Sequence, residues 1–131
     1  MRVLVTGYKG FIGQNLVEYI YNNTDWSVDL YEWGESNMPS IMEQDWVIHI
    51  GAISSTTERD LDKVMRQNVD FTRQLFNACK TYGVNFQYSS SASLYGFGTD
   101  FAETSQLDPR TPYAWSKYLC EYYHKQHQGG N

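Results

Sequence analysis

Residues 1–13 read MRVLVTGYKGFIG: a β-branched run, Arg2 to Thr6, stops at Gly7, and from Phe11 apolar residues recur at helical spacing (Phe11, Ile12, Leu16, Ile20). The stretch is a strand, a tight turn and a helix. Three glycines punctuate the turn. Gly7 permits the sharp reversal, Gly10 lets the backbone approach a pyrophosphate without a Cβ in the way, and Gly13 lets the helix pack closely on the sheet. The N–H groups of Phe11 and Ile12, which have no partner inside a helix's first turn, point at the anion. Glycines in this strand-to-helix context predict a dinucleotide site, whereas the same glycines without those flanks would be a weak signal.

Working outward, Val28 to Tyr31 reads as a second strand and Trp46 to Ile50 as a third, apolar throughout as a strand covered on both faces should be. Arg59 to Tyr82 reads as one long helix ended by Gly83, with Leu61, Val64, Val69, Leu75, Phe76 and Cys79 as its apolar stripe. Asn85 to Ser89 gives the next strand. After a loop rich in Ser, Gly and Asp, Pro112 sits where a helix begins, and Tyr113 to His127 continues it. Alternating strands and helices predict an α/β fold, a doubly wound parallel sheet. Between Glu32 and Asp45 there is too little chain for a helix, a strand and a second helix, so one outer strand is expected to be missing. Residues 37–44 are expected to supply one short helix.

The chain has 131 residues, 41% of them hydrophobic and 16% aromatic, which suffices for one globular domain over 1–131. A formal net charge of -5 gives no basic field to hold a phosphate backbone, so nucleic acid is not an expected partner. The apolar run at the start is too short for a signal peptide, and no stretch reaches the roughly 18 apolar residues a membrane span needs. Cys79 and Cys120 fall far apart in helix-like stretches and read as reduced thiols, which fits a cytoplasmic protein.

Glu32 ends the second strand, where a carboxylate accepts hydrogen bonds from the adenosine ribose hydroxyls, and Trp33 beside it is taken as a further cofactor contact. No Lys or Arg occurs between Lys9 and Arg59, so that segment offers no cation for a 2′-phosphate. This favours NAD over NADP. Lys9 argues the other way, because a basic residue in such a loop reaches a 2′-phosphate, and NADP stays open. Tyr113 and Lys117 stand four residues apart, on one helix face. A phenol must exchange a proton near neutral pH despite an ordinary pKa of about 10, and an adjacent ammonium favours the phenolate. The string YSSSASLYG (88–96) places hydroxyls at the carboxyl end of a strand, with Ser91 the first candidate to polarise a substrate oxygen and Ser90 the alternative. Asp45 and His49 read as structural, and His124 and His127 as solvated, with no pattern that completes a metal site.

With TGYKGFIG, DWVIHIGA, QNVDFT, YSSSASLYG and YAWSK in order, the chain resembles the extended short-chain dehydrogenases/reductases, in their sugar-nucleotide epimerase/dehydratase group. GAISSTTE and YSSSASLYG are most similar to the heptose 6-epimerases within it. The resemblance implies an NAD(P)-binding Rossmann fold, with Gly51, Ala52 and Ser54 lining the cofactor site and Gln67 or Asn68 bordering it. It implies Ser91, Tyr113 and Lys117 as the catalytic set, a nucleotide-sugar substrate, and a homodimer through the two long helices. Epimerisation would proceed by transient oxidation to a ketone and re-reduction. Where the group's 4,6-dehydratases carry an Asp-Glu pair, this sequence has Ala92 and Ser93, which disfavours dehydration. Enzymes of the group run to roughly twice this length or more. The lobe that grips the sugar is accordingly expected to lie outside these residues, leaving a truncated chain that binds cofactor weakly and turns over poorly. A bare dinucleotide-binding or dimerisation module is the alternative.

Overall fold

At the centre of a four-stranded parallel sheet runs β1 (Arg2–Thr6), with β2 (Ser27–Tyr31) on one side and β3 (Trp46–His49) on the other, followed by β4 (Asn85–Tyr88). The computed structural model describes residues 1–53, 58–96, 103 and 106–127. The register pairs Thr6 with Tyr31 and with His49, and His49 with Tyr88, so all four strands end together at one edge. That edge launches every segment carrying a candidate site residue. Strand order reverses at β1, because β1 passes to β2 in one direction and β3 to β4 in the other. This reversal is the doubly wound pattern, in which right-handed crossovers place connecting helices on both faces of a sheet.

The chain divides into two compact units, residues 1–52 with 74–89, and residues 53–73 with 90–131. In the first, Val3, Val5 and Ile20 form a buried cluster, packed by Leu16 and Val17 of α1 (Phe11–Asn23) and by Val28, Leu30 and Ile48 of the neighbouring strands. Phe86 on β4 meets Phe76 edge-on and stacks with His49. In the second unit, the buried residues include Val64, Val69, Leu94, Ala114 and Cys120.

The edge next to β2 holds no further strand among the described residues, as the short 32–45 connection predicted. The short helix expected over 37–44 does not form; that segment has only turns, with the Gln44 N–H bonded to the Ile41 carbonyl. Pro39 accounts for this, since it pushes Met38 out of the helical region and offers no N–H of its own. The long helix starts at Leu61 rather than Arg59, because the Asp60 side chain caps it by accepting the Lys63 N–H at 3.1 Å. It also changes pitch: α2 (Leu61–Val64) passes into a π-helical segment, Met65–Asp70, before α3 (Phe71–Tyr82). There the Phe71 N–H reaches back five residues to the Arg66 carbonyl. Gly83 ends the run in the left-handed region. The last helix, α4 (Pro112–His127), is capped by Thr111, whose hydroxyl accepts the Ala114 N–H at 3.1 Å. No helix among the described residues is long and apolar enough to cross a membrane.

Candidate functional site

In the first unit the glycine loop follows β1. Gly7 has φ +75°, and a Cβ there would lie 2.5 Å from the Gly51 amide nitrogen, so the loops after β1 and β3 touch backbone to backbone. Gly13 is equally constrained: its Cβ would sit 2.1 Å from the Gly7 carbonyl oxygen. Gly10 differs, because a Cβ there would meet only that oxygen, at 3.6 Å. The space beside Gly10 is therefore open, as close approach by a pyrophosphate requires. Gly10 is also the N-cap of α1 and offers no side-chain acceptor to the first-turn amides. Phe11 and Ile12, which follow it, are 84% and 62% exposed.

Glu32 stands immediately after β2 and accepts the Lys9 backbone N–H at 3.1 Å, which fixes its carboxylate beside the glycine loop. Trp33 is exposed in the turn that follows. Lys9 carries its ammonium 5.7 Å from the centroid of the Tyr8 ring. Burial and a hydrogen bond with the Glu35 side chain raise the Tyr8 pKa. Glu35 thus joins Glu32 as a second acid beside the glycine loop, one that the twenty-residue spacing rule alone does not reach. His49 is structural, as expected: its Nδ1 lies 2.6 Å from the Thr6 hydroxyl, which also accepts the Gly51 N–H at 3.3 Å. Asp45 likewise accepts the Arg2 N–H at 2.7 Å and ties the opposite edge of the sheet together. Gly51 and Ala52 follow β3; Ser54 lies outside the described residues.

The second unit holds the proton-transfer candidates. Tyr113 is the second residue of α4 and Lys117 follows one turn later, with its Nζ 5.9 Å from the Tyr113 ring centroid. Lys117 is only 5% exposed, and that burial lowers its pKa, with the neighbouring Cys120 opposing the shift. Cys120, also buried, has its thiol pKa raised by desolvation. Burying an ammonium carries a desolvation cost, which is the origin of the Lys117 shift.

Asn68 anchors this arrangement from the π-helical segment. It is 1% exposed, its Oδ1 accepts the Ile53 N–H at 2.8 Å, and its Nδ2 donates to the Ile53 carbonyl at 3.0 Å and the Ser116 hydroxyl at 3.0 Å. Its backbone carbonyl accepts from the Cys120 thiol at 3.1 Å, and Ser116 donates onward to the Tyr113 carbonyl at 2.6 Å. Both amide hydrogens are spent within the protein, so Asn68 orients the helix on either side of Lys117 rather than offering its side-chain donors to a ligand. Gln67 beside it is half-buried.

The two serine candidates part company. The Ser90 hydroxyl donates to the Glu121 carboxylate, whereas Ser91 opens a 3₁₀ turn, Ala92–Tyr95, in which the Leu94 N–H bonds to the Ser91 carbonyl at 3.3 Å. His124 departs from the solvated reading: it is half-buried, and burial lowers its pKa. His127 is exposed and stacks on Tyr123 with ring centroids 4.0 Å apart. A cleft of about 350 Å³ in this unit is lined by Gln106, Leu107, Tyr118, Glu121, Tyr122 and Lys125, and includes none of Ser91, Tyr113 and Lys117.

The sequence profile of the NAD dependent epimerase/dehydratase family matches residues 28–130. The chain belongs to that family. Among curated members, an ADP-L-glycero-D-manno-heptose-6-epimerase of Nitratidesulfovibrio vulgaris (strain DP4) is 33% identical over 119 residues, covering 87% of this chain and 35% of the relative. The family fold is equally clear in solved structures. The Helicobacter pylori ADP-L-glycero-D-manno-heptose-6-epimerase superposes with a TM-score of 0.87 at 21% identity, over 99% of this chain and 52% of that one. A short-chain dehydrogenase/reductase superfamily protein of Agrobacterium tumefaciens with bound NAD gives 0.83 at 27% identity, over 100% and 46%. This family member spans about a third of the length of the curated relative and about half of each solved chain. The resemblance to extended short-chain dehydrogenases/reductases and the parallel Rossmann-type sheet both stand.

Proposed function

We propose that this chain is the cofactor-holding, proton-transferring part of a nucleotide-sugar epimerase, with ADP-glycero-manno-heptose as the substrate and carbon 6 as the centre inverted. The observation that carries the reading is the buried Lys117 one helical turn from Tyr113. Burial of an ammonium carries a desolvation cost, and its placement one turn from a phenol suits a phenol that must exchange protons near neutral pH. The loop around Gly7, Gly10 and Gly13, the first-turn amides of Phe11 and Ile12, and Glu32 would hold the dinucleotide. Trp33, Gly51, Ala52 and Ser54 would line its site. When bound, that cofactor supplies the hydride acceptor and donor that epimerisation through a ketone requires.

Tyr113 takes the carbinol proton and later returns it, Lys117 stabilises its phenolate, and Ser91 donates a hydrogen bond to the substrate oxygen. Ser91 is kept as the first choice, with Ser90, whose hydroxyl donates to Glu121, as the alternative. Asn68 acts by orienting these groups. Glu32 and Glu35, both acids at the ribose end, favour NAD, while Lys9 keeps NADP open. Exposed Leu61 on α2 and Trp115 and Tyr122 on α4 support a homodimer through the two long helices.

Incubating the purified protein with NAD and ADP-heptose, and reading the configuration at carbon 6 by NMR, tests the reading. Slow inversion is expected. An unchanged substrate alongside turnover of another nucleotide sugar would move the assignment to a sister epimerase or reductase. Saturable NAD binding without turnover of any nucleotide sugar would favour a dinucleotide-binding or dimerisation module.

A further inference from the structure

We propose that Glu121 is a positioning residue, which clamps Ser90 and through it the adjacent Ser91 to the helix that bears Tyr113 and Lys117. The inference deepens the proposed function and rests on it for its kinetic arm. Tyr113, Lys117 and Glu121 recur at four-residue intervals along α4, so they occupy successive turns of one ridge. The Ser90 hydroxyl donates to the Glu121 Oε1. That bond joins the helix to the segment carrying the third candidate group. Ser90 is exposed, so the contact is not a by-product of core packing. The segment is held again just beyond it, where the Asp108 N–H donates to the Leu94 carbonyl at 2.6 Å and the Leu94 N–H to the Ser91 carbonyl. With one hold on each side, Ser91 cannot shift relative to α4 without breaking one of them. The strand end alone would leave a three-residue lever between Tyr88 and Ser91.

The test compares Glu121→Ala, Glu121→Gln and Ser90→Ala in the full chain. Glu121→Ala and Ser90→Ala should each lower the epimerisation kcat about 10- to 100-fold, the loss that a misplacement near 1 Å causes, with KM and NAD affinity unchanged. Glu121→Gln, whose amide oxygen still accepts the Ser90 hydroxyl, should recover most of that loss, and the Glu121→Ala/Ser90→Ala double variant should be no slower than either single one. A readout free of activity is amide exchange: Leu94 should exchange about tenfold faster in Glu121→Ala while Ala114, capped by Thr111, stays as protected as before. Unchanged exchange at Leu94, or equal loss of protection along all of α4, would overturn the clamp. If the parent protein epimerises no nucleotide sugar, the functional reading fails, and the exchange comparison still decides the clamp by itself.

Discussion

Lys117 sets function against stability within one side chain. Burial lowers its pKa, so between the folded value and the ordinary 10.5 the unfolded chain binds more protons, and stability rises with pH across that window. Below the folded value the cost of the buried charge is present in full. Lys117→Met should therefore raise Tm at pH 7, and its advantage over the parent should shrink as pH climbs through the folded value towards 10.5. Scanning calorimetry of both proteins across that range checks this, and a lower Tm at pH 7 would sink it. The same substitution should cost about 10²- to 10⁴-fold in turnover, as loss of acid–base assistance does. Glu32 makes the companion case at the cofactor end. Under the proposed reading Glu32→Ala removes an acceptor of ribose hydroxyls, and hydrogen bonds to a charged group contribute about 1.5–3 kcal/mol, so NAD affinity should fall about tenfold or more. Fluorescence titration should also show NADP affinity falling less than NAD affinity, or rising, because a carboxylate facing the 2′-phosphate has been removed.

At the scale of elements, two glycines of one loop should behave in opposite ways. Gly13→Ala drives a Cβ into the Gly7 carbonyl, a backbone atom, so it should destabilise the protein by about 1–3 kcal/mol or more. Gly10→Ala meets nothing closer than 3.6 Å and should cost under about 1 kcal/mol, as an N-cap change does, yet abolish NAD binding. Urea unfolding and NAD titration of both variants separate the two roles, and equal destabilisation would refute them. The glycine loop, the alternation that makes the sheet parallel, and the Tyr113–Lys117 spacing were legible because each depends on local pattern. The π-helical segment was not, since the apolar stripe of an ordinary helix runs through it. Its one trace in the sequence is that Val64 and Val69, both buried, stand five residues apart, a spacing that an α-helix sends to different faces. The sequence reading singled out Asn68 as a candidate bordering the cofactor site, but its role as a tie was not legible, because its partners Ile53 and Ser116 lie 15 and 48 residues away. Asn68→Ala would strand the Ile53 amide and carbonyl together. It should cost about 2–4 kcal/mol in urea unfolding, beyond the effect of an exposed Asn.

At the scale of the whole molecule, the question is whether the two compact units answer to one ligand. The glycine loop and Glu32 fall in the unit built on the sheet, and Tyr113 and Lys117 in the unit built on α4. A ligand that binds only the native state stabilises it by about 2.7 kcal/mol at a hundredfold excess over Kd, which for a chain of this size raises Tm by roughly 5–15 °C. Under the epimerase reading the dinucleotide acts on the glycine loop and on the Tyr113–Lys117 pair alike. NAD should then slow amide exchange both at residues 7–13 and at residues 113–117, and calorimetry should show one transition that moves as a whole. A bare dinucleotide-binding module predicts otherwise. Protection would be confined to residues 7–13 and the turn after Glu32, and residues 113–117 would exchange as fast with NAD as without it. Because exchange is read segment by segment, the experiment separates the two readings even if no substrate is ever turned over.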